Sequence, residues 1–341
     1  MSPSLVAPRS TRPVAAAAAT LLFGALTLLS PGAARAEDPK PAAPAAPAAA
    51  AATPAKGFPS KEEAAKALIE ACAKNDDDAL KALFGSTSAD LVQSGKDMEA
   101  EKDRAGFAKA AARKLTFEED GGKTVLVVGD EEWPCPVPLV KDGDVWRFDA
   151  ETGRKEMLAR RIGENELTAI QICKDYIEAQ AAYASKDRDG DKVREFAQKL
   201  LSTTGQHDGL YWGDATADDP SPFGAMLSPY KDFMDGTGAA PFKGYYWRIL
   251  KQQGDKAPGG AHSYVINGNM IAGFALLGVP ADYRKTGVMT FIVSNHGTVY
   301  QKDLGANTLE LAKSITTFDP DETWDEGDDN DPNPSGTPAS K

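Results

Sequence analysis

Glu164-Asn165-Glu166-Leu167-Thr168-Ala169-Ile170-Gln171-Ile172-Cys173-Lys174-Asp175-Tyr176-Ile177-Glu178-Ala179-Gln180-Ala181-Ala182-Tyr183-Ala184-Ser185 is the most regular stretch of the chain. Ala169, Ile170, Cys173, Tyr176, Ile177, Gln180 and Tyr183 recur at helical spacing and form one stripe. Downstream the period becomes two. Tyr245–Leu250, Ser263–Ile266, Gly273–Leu277, Val288–Ser294 and Thr298–Gln301 read as strands, with Asn295-His296-Gly297 as the last hairpin turn. One long helix followed by an antiparallel meander is an α+β arrangement, here spanning residues 160–319. Between the two parts the helix ends in Asp187-Arg188-Asp189-Gly190-Asp191. A shorter helix is expected over Val193–Leu201, and residues 205–243, rich in Gly, Asp and Pro, read as a long irregular loop.

Upstream, residues 58–156 form a second α+β unit. Ser60-Lys61-Glu62-Glu63 fits a capping box, and Ala65, Leu68, Ile69 and Cys72 follow at helical spacing. A short helix with Leu80, Leu83 and Phe84 starts at Asp76–Asp78, and a third covers Arg104–Arg113. Leu115–Phe117 and Thr124–Val128 then flank Asp120-Gly121-Gly122, a hairpin signal. In Trp133-Pro134-Cys135-Pro136-Val137-Pro138-Leu139 every second residue lacks an N–H. Read as one strand, the segment can pair along one edge only, with Val145–Phe148 as its expected partner.

The two ends carry other information. Arg9 and Arg12 precede an apolar run from Val14 to Leu29, and Ala34-Arg35-Ala36 offers small residues for cleavage, so residues 1–36 read as a signal peptide. The run is 16 residues long and broken by Gly24, short of the roughly 20 a membrane helix needs, so no stable span is expected once the leader is removed. Residues 37–57 are mostly Pro and Ala and read as a linker. Residues 319–331 hold eight acids and no base, so 320–341 reads as a solvated, disordered acidic tail. Removing residues 1–36 deletes three arginines and no acid and takes the net charge from −12 to −15. Such a body repels nucleic acid and anionic membrane surfaces. The expected location is the periplasm, the extracellular space or the cell envelope.

Trp133-Pro-x-Pro-x-Pro-Leu-Val, Trp146-Arg-Phe-Asp, Arg160-Arg-Ile-Gly-x-Asn-Glu, His207-Asp-Gly-Leu-Tyr-Trp, Gly244-Tyr-Tyr-Trp-Arg-Ile-Leu and Thr290-Phe-Ile-Val together resemble an uncharacterised family of exported bacterial proteins, domain-of-unknown-function family 2950. The resemblance covers about Phe58–Trp324 and implies no activity and no catalytic residues. By element order, residues 58–156 resemble the nuclear-transport-factor-2-like architecture. Asn165-Glu166-Leu-Thr-Ala169-Ile170, Asp189-Gly190-Asp191 and the closing Thr286–Tyr300 hairpin resemble the soluble half of a type IV pilin or pseudopilin. A whole domain stands where a pilin has its membrane half, so the second likeness bears on fold and not on pilus assembly.

Three sets of residues are candidates for chemistry. His207 and Asp208, with His262, carry the groups a hydrolase would use for acid–base work, although neighbours in sequence need not face each other. Tyr211, Trp212, Tyr246 and Arg248 are candidate ligand-binding residues, with core packing as the competing role for the aromatics. Asp187, Asp189 and Asp191 with Glu195 offer oxygen ligands to calcium, the one cofactor these residues suggest. Their spacing is not that of an EF-hand, and a capped turn accounts for the same residues. Cys72, Cys135 and Cys173 allow at most one disulfide and have no metal-site spacing. No Gly-x-Ser-x-Gly or His-Glu-x-x-His motif occurs. The leading expectation is a non-catalytic binding module for an envelope protein, a peptide or a glycan. A hydrolase using His207 and Asp208 is one alternative, and a pilus- or secretion-associated structural protein is another.

Overall fold

A computed structural model of the chain describes residues 54–86, 89–93, 98–224 and 241–327. The signal peptide, most of the linker, residues 225–240 of the long loop and the acidic tail beyond 327 lie outside the described residues. The protein is α+β, built of helices and antiparallel sheets.

In the first half, α1 (Lys61–Ala73) starts at Ser60, whose hydroxyl accepts the Glu63 N–H at 3.1 Å. The Asp76 carboxylate does the same for Ala79 at the start of α2 (Asp77–Phe84), at 2.9 Å. Both caps satisfy donors that a helix N-terminus leaves free. After α3 (Ala89–Gln93) and α4 (Met98–Arg113), the chain forms β1 (Leu115–Asp120), β2 (Lys123–Val128), β3 (Trp133–Pro134), β4 (Leu139–Asp142) and β5 (Val145–Phe148). The sheet order is β1-β2-β4-β5, with β3 also on β2. Leu68, Leu80, Leu83 and Phe84 bury their side chains with Leu126, Leu139 and Phe148 as one core. Phe84 meets Phe148 edge to face at 5.6 Å. Lys56 and Phe58 are tied to this body through Ala82 and Trp146.

The proline segment is not the single strand its sequence suggests. Trp133 and Pro134 pair with β2, residues 136–137 bend, and Leu139 opens β4, which pairs with β5 and touches β2 at Thr124. The Cys135 N–H donates to Leu126 at 2.7 Å. Val137 presses on Gly153 in the helix that follows, where an added Cβ would lie 2.6 Å from it. Trp133 and Pro134 keep to one partner, but Leu139 pairs on both sides, so the one-edge expectation holds only up to the bend.

Helix α5 (Ala150–Tyr183) is 34 residues long and begins fourteen residues before the regular stretch that opens at Glu164. Its first half is largely charged, so periodicity does not reveal it. Asp149 starts the helix by accepting the Thr152 N–H at 3.0 Å, while the Lys123 ammonium bonds its other oxygen at 2.8 Å. Burial opposes ionisation of Asp149, but Lys123 and the Thr152 hydroxyl and N–H outweigh it and hold the carboxyl at about 2, below its ordinary 3.8. The stabilisation is therefore complete above about pH 4 and is lost as pH falls through about 2. Asp149→Ala is expected to cost about 1 kcal/mol at pH 7 by urea unfolding. The gap to wild type should close in acid; an equal gap at both ends of that range would refute the assignment.

The second half holds β6 (Tyr245–Leu250), the short ribbons β7 (Gln252–Gln253) with β8 (His262–Ser263) and β9 (Val265–Ile266) with β10 (Asn269–Met270), then β11 (Ala275–Pro280), β12 (Met289–Ser294) and β13 (Val299–Asp303). After α6 (Thr308–Ser314), β14 (Asp325–Glu326) completes a meander ordered β6-β11-β12-β13-β14. Every residue of β11 and β12 is buried. Helix α5 packs on β12, and α6 on β11. Tyr176, Tyr245, Phe291 and Leu276 fill this second core.

Two expectations need correction here. Val193–Leu201 is not a helix. Buried Gln180 bonds Ala197 at both its backbone groups, 2.7 Å to N–H and 2.9 Å to the carbonyl, which holds the segment non-helical along α5. The acidic stretch after 319 also enters the sheet, with Asp325 opposite Gln301 and the Lys302 ammonium 5.6 Å from the Trp324 ring centre. Among the described residues no helix is long and apolar enough to cross a membrane.

Candidate functional site

The end of α5 and the loop at 199–224 build one polar cluster. The Tyr183 hydroxyl donates to the His207 carbonyl at 3.2 Å and anchors the loop on the helix. The His207 ring lies flat on the Trp212 indole, 4.4 Å between centres and 10° between planes. The Arg188 guanidinium sits 4.9 Å from the same indole centre. Asp219 joins them: one oxygen is 3.1 Å from Arg188, the other 2.8 Å from His207 Nδ1. Asp214 lies 3.3 Å from His207 Nε2, and Lys186 is 3.3 Å from Asp219. Burial works against the Asp219 charge, but Arg188, Lys186 and His207 outweigh it and hold the carboxyl below its ordinary range.

Asp208 does not pair with the His207 ring. Its carboxylate accepts the Thr203 N–H at 2.7 Å and bonds Lys199 and the Thr203 hydroxyl. Burial again opposes these partners and is overcome, so Asp208 too is held below the ordinary range. It fixes the turn at 203–208. The third histidine, His262, belongs to β8. Its nitrogens face the carbonyls of Gly260 and Ala272 at 3.0 and 3.4 Å, and its ring meets Tyr264 edge to face. None of these partners is shared with His207. The expected gathering of His207, Asp208 and His262 does not form.

A general base needs a nitrogen free to take a proton, beside a nucleophile. Both nitrogens of His207 face carboxylates, and among the described residues no Ser, Thr or Cys side chain bonds either one. The three cysteines are free and buried. Burial pushes Cys72 up to about 12 and Cys135 to about 11, and raises Cys173 further, so none is a ready thiolate.

Beside the cluster opens a cleft of about 530 Å³, walled by Leu201–Gln206 and Tyr211–Asp214. Tyr211 lines it half-buried. Trp212 lines it too, but its side chain is only 4% exposed beneath His207 and Arg188, so it presents no open ring face. Tyr246 and Arg248 stand in β6, opposite Val279 and Leu277. Arg248 donates to the Ala312 and Ile315 carbonyls at 2.7 and 2.6 Å and holds the end of α6. Of the four candidate ligand residues, only Tyr211 and Trp212 come together.

Asp187, Asp189 and Asp191 bring one carboxylate oxygen each within 4.8 Å of one another at the surface. Asp187 also accepts the N–H groups of Gly190 and Lys192, and Asp191 that of Val193. Glu195 is elsewhere, accepting the Met270 N–H at 3.0 Å, so the four-ligand calcium expectation reduces to three carboxylates in a capped turn.

Arg188, Asp214 and Asp219 escape sequence reasoning. They belong to no motif: Asp214 and Asp219 reach His207 from 7 and 12 residues along the loop, and Arg188 joins Asp219 across 31 residues of chain. An acid-rich loop beside a His and a Trp was the one visible signal. The profile of the family described as Protein of unknown function (DUF2950) matches residues 55–326, which contain both cores, the cluster and the cleft. No curated protein and no solved structure matches significantly, so the nuclear-transport-factor-2-like likeness rests on element order alone and the pilin likeness on the quoted residues alone. By the match over most of its length, the chain belongs to the DUF2950 family.

Proposed function

We propose that this is an exported, non-catalytic binding module of the cell envelope, with its ligand seated in the cleft between Leu201–Gln206 and Tyr211–Asp214. The observation that carries the reading is the state of His207. Its nitrogens are taken by Asp219 and Asp214 and its ring by Trp212, which makes it a brace for the cleft wall rather than a free general base. Irregular loops on a rigid helix-and-sheet frame are where recognition tends to sit. The leader at 1–36 and the acidic body support export, with Glu37 as the expected mature N-terminus.

The hydrolase reading makes an opposite forecast. Purified mature protein and His207→Ala are expected to give the same background on ester, phosphate, glycoside and peptide model substrates. Turnover by wild type that His207→Ala abolishes would overturn the binding-module reading. N-terminal sequencing from the envelope fraction checks the export half, and an intact Met1 on cytoplasmic protein would refute it.

A further inference from the structure

We infer that the cleft takes an uncharged, hydroxyl-rich ligand, a short stretch of neutral oligosaccharide. This rests on the binding-module reading and names its ligand class. The lining contains no Lys or Arg, while Asp214 stands at its rim. An anionic ligand would meet the Asp214 carboxylate, while the cations behind the lining, Lys199 and Arg188, are already paired with Asp208 and Asp219, on a body that is already acidic.

Several side chains of the lining have free hydrogen-bonding groups. The Thr204 hydroxyl, the Gln206 amide and the Tyr211 hydroxyl have no partner among the described residues, and Asp214 commits one oxygen to His207. They supply donors and acceptors in one small space, the mixture a sugar's hydroxyls require. An extended peptide would want an open main-chain edge. At Leu200–Ser202 and Tyr211 the walls have closed theirs on each other. Ser202 N–H donates to the Tyr211 carbonyl at 2.8 Å, Tyr211 N–H to Leu200 at 2.9 Å, and Leu201 and Tyr211 form a parallel bridge.

Space and an apolar face are also present. Added Cβ atoms at Gly205 and Gly213 would meet nothing within 4 Å, so the rim is open. The cleft falls within the roughly 300–1,000 Å³ of small-ligand sites. The half-buried Tyr211 ring offers a surface to the C–H face of a pyranose.

The test is an NMR titration of the mature chain with methyl-labelled threonine. The probes are maltohexaose, cellohexaose, xylohexaose and chitohexaose, beside trigalacturonate and a six-residue Gly-Ser peptide. At least one neutral hexasaccharide should shift the Thr203 and Thr204 methyls saturably and leave the buried Thr308 methyl in place. Gln206→Ala and Tyr211→Phe, which keeps the ring that packs on the core, should each weaken that binding about tenfold, one hydrogen bond apiece, with unchanged melting. Shifts at Thr203 and Thr204 with the peptide or trigalacturonate and none of the neutral sugars would overturn the ligand class and leave the binding reading standing. Silence at both methyls with all four neutral sugars would also overturn it. The binding reading itself falls only to His207-dependent turnover.

Discussion

Glu166→Ala is expected to lower stability by about 4 kcal/mol, because it orphans two buried N–H groups at roughly 1–3 kcal/mol each. Glu166 is fully buried on α5, and its Oε1 accepts the N–H groups of Val288 and Met289 at 2.7 and 2.9 Å. It clamps the helix to the start of β12, beside Asn165, whose amide donates to the Thr286 carbonyl. A loss of that size corresponds to a melting point roughly 10 °C lower for a body of this length. A melting point indistinguishable from wild type would show that the clamp contributes nothing.

The same carboxyl sets a pH dependence. Burial raises the Glu166 pKa above its ordinary 4.5; the Val288 and Met289 donors oppose that and nearby Asp303 reinforces it. Tyr245 packs on the same side with its hydroxyl on the Met289 carbonyl at 3.0 Å, and brings no positive charge. Oε2 has no partner among the described residues. The folded state therefore holds the proton more tightly than the unfolded chain. That contribution is complete below pH 4.5 and is lost as pH rises through the folded value. Glu166→Gln keeps an acceptor for both N–H groups and cannot ionise. It should melt close to wild type in mild acid and above it at alkaline pH. Parallel pH curves for the two proteins would refute the argument.

Gln180→Ala is the second large effect, about 3 kcal/mol by urea unfolding, since it leaves both backbone groups of Ala197 unpaired in the core. Its amide also donates to the Tyr176 hydroxyl at 2.9 Å, and Tyr176 still reaches the Ala275 carbonyl at 3.3 Å in its absence. The damage should therefore centre on residues 193–201, the approach to the cleft wall. Amide exchange at Phe196 and Ala197 should rise more than exchange in β11 and β12. Uniform acceleration across the sheet, or none, would show that Gln180 is not the pin.

Much of the fold can be read locally. Ser60 and Asp76 cap the helices their positions suggest, Gly121 and Gly122 turn the β1–β2 hairpin at φ +55° and +81°, and Tyr245–Leu250 is a strand residue for residue. Three readings failed where a distant partner outweighed local preference. Gln180 holds Val193–Leu201 out of a helix. Val137 on Gly153 bends the proline segment. The charged first half of α5 is a helix because Asp149 caps it and the first core receives Ala150, and neither leaves a periodic trace.

The candidate site was legible in composition but not in pairing. His207, Tyr211 and Trp212 do form one place, yet the carboxylates facing the imidazole are Asp219 and Asp214. Sequence alone determined most of the element types, the caps and turns, the α+β class and the acidic character, because each follows from the side chains within one or two turns of chain. Only the tertiary structure decided which polar groups meet: Glu166 with Val288 and Met289, Gln180 with Ala197, Arg188 with Asp219. Those contacts close loops of tens to more than a hundred residues, and no local preference encodes a partner that packing alone brings within reach.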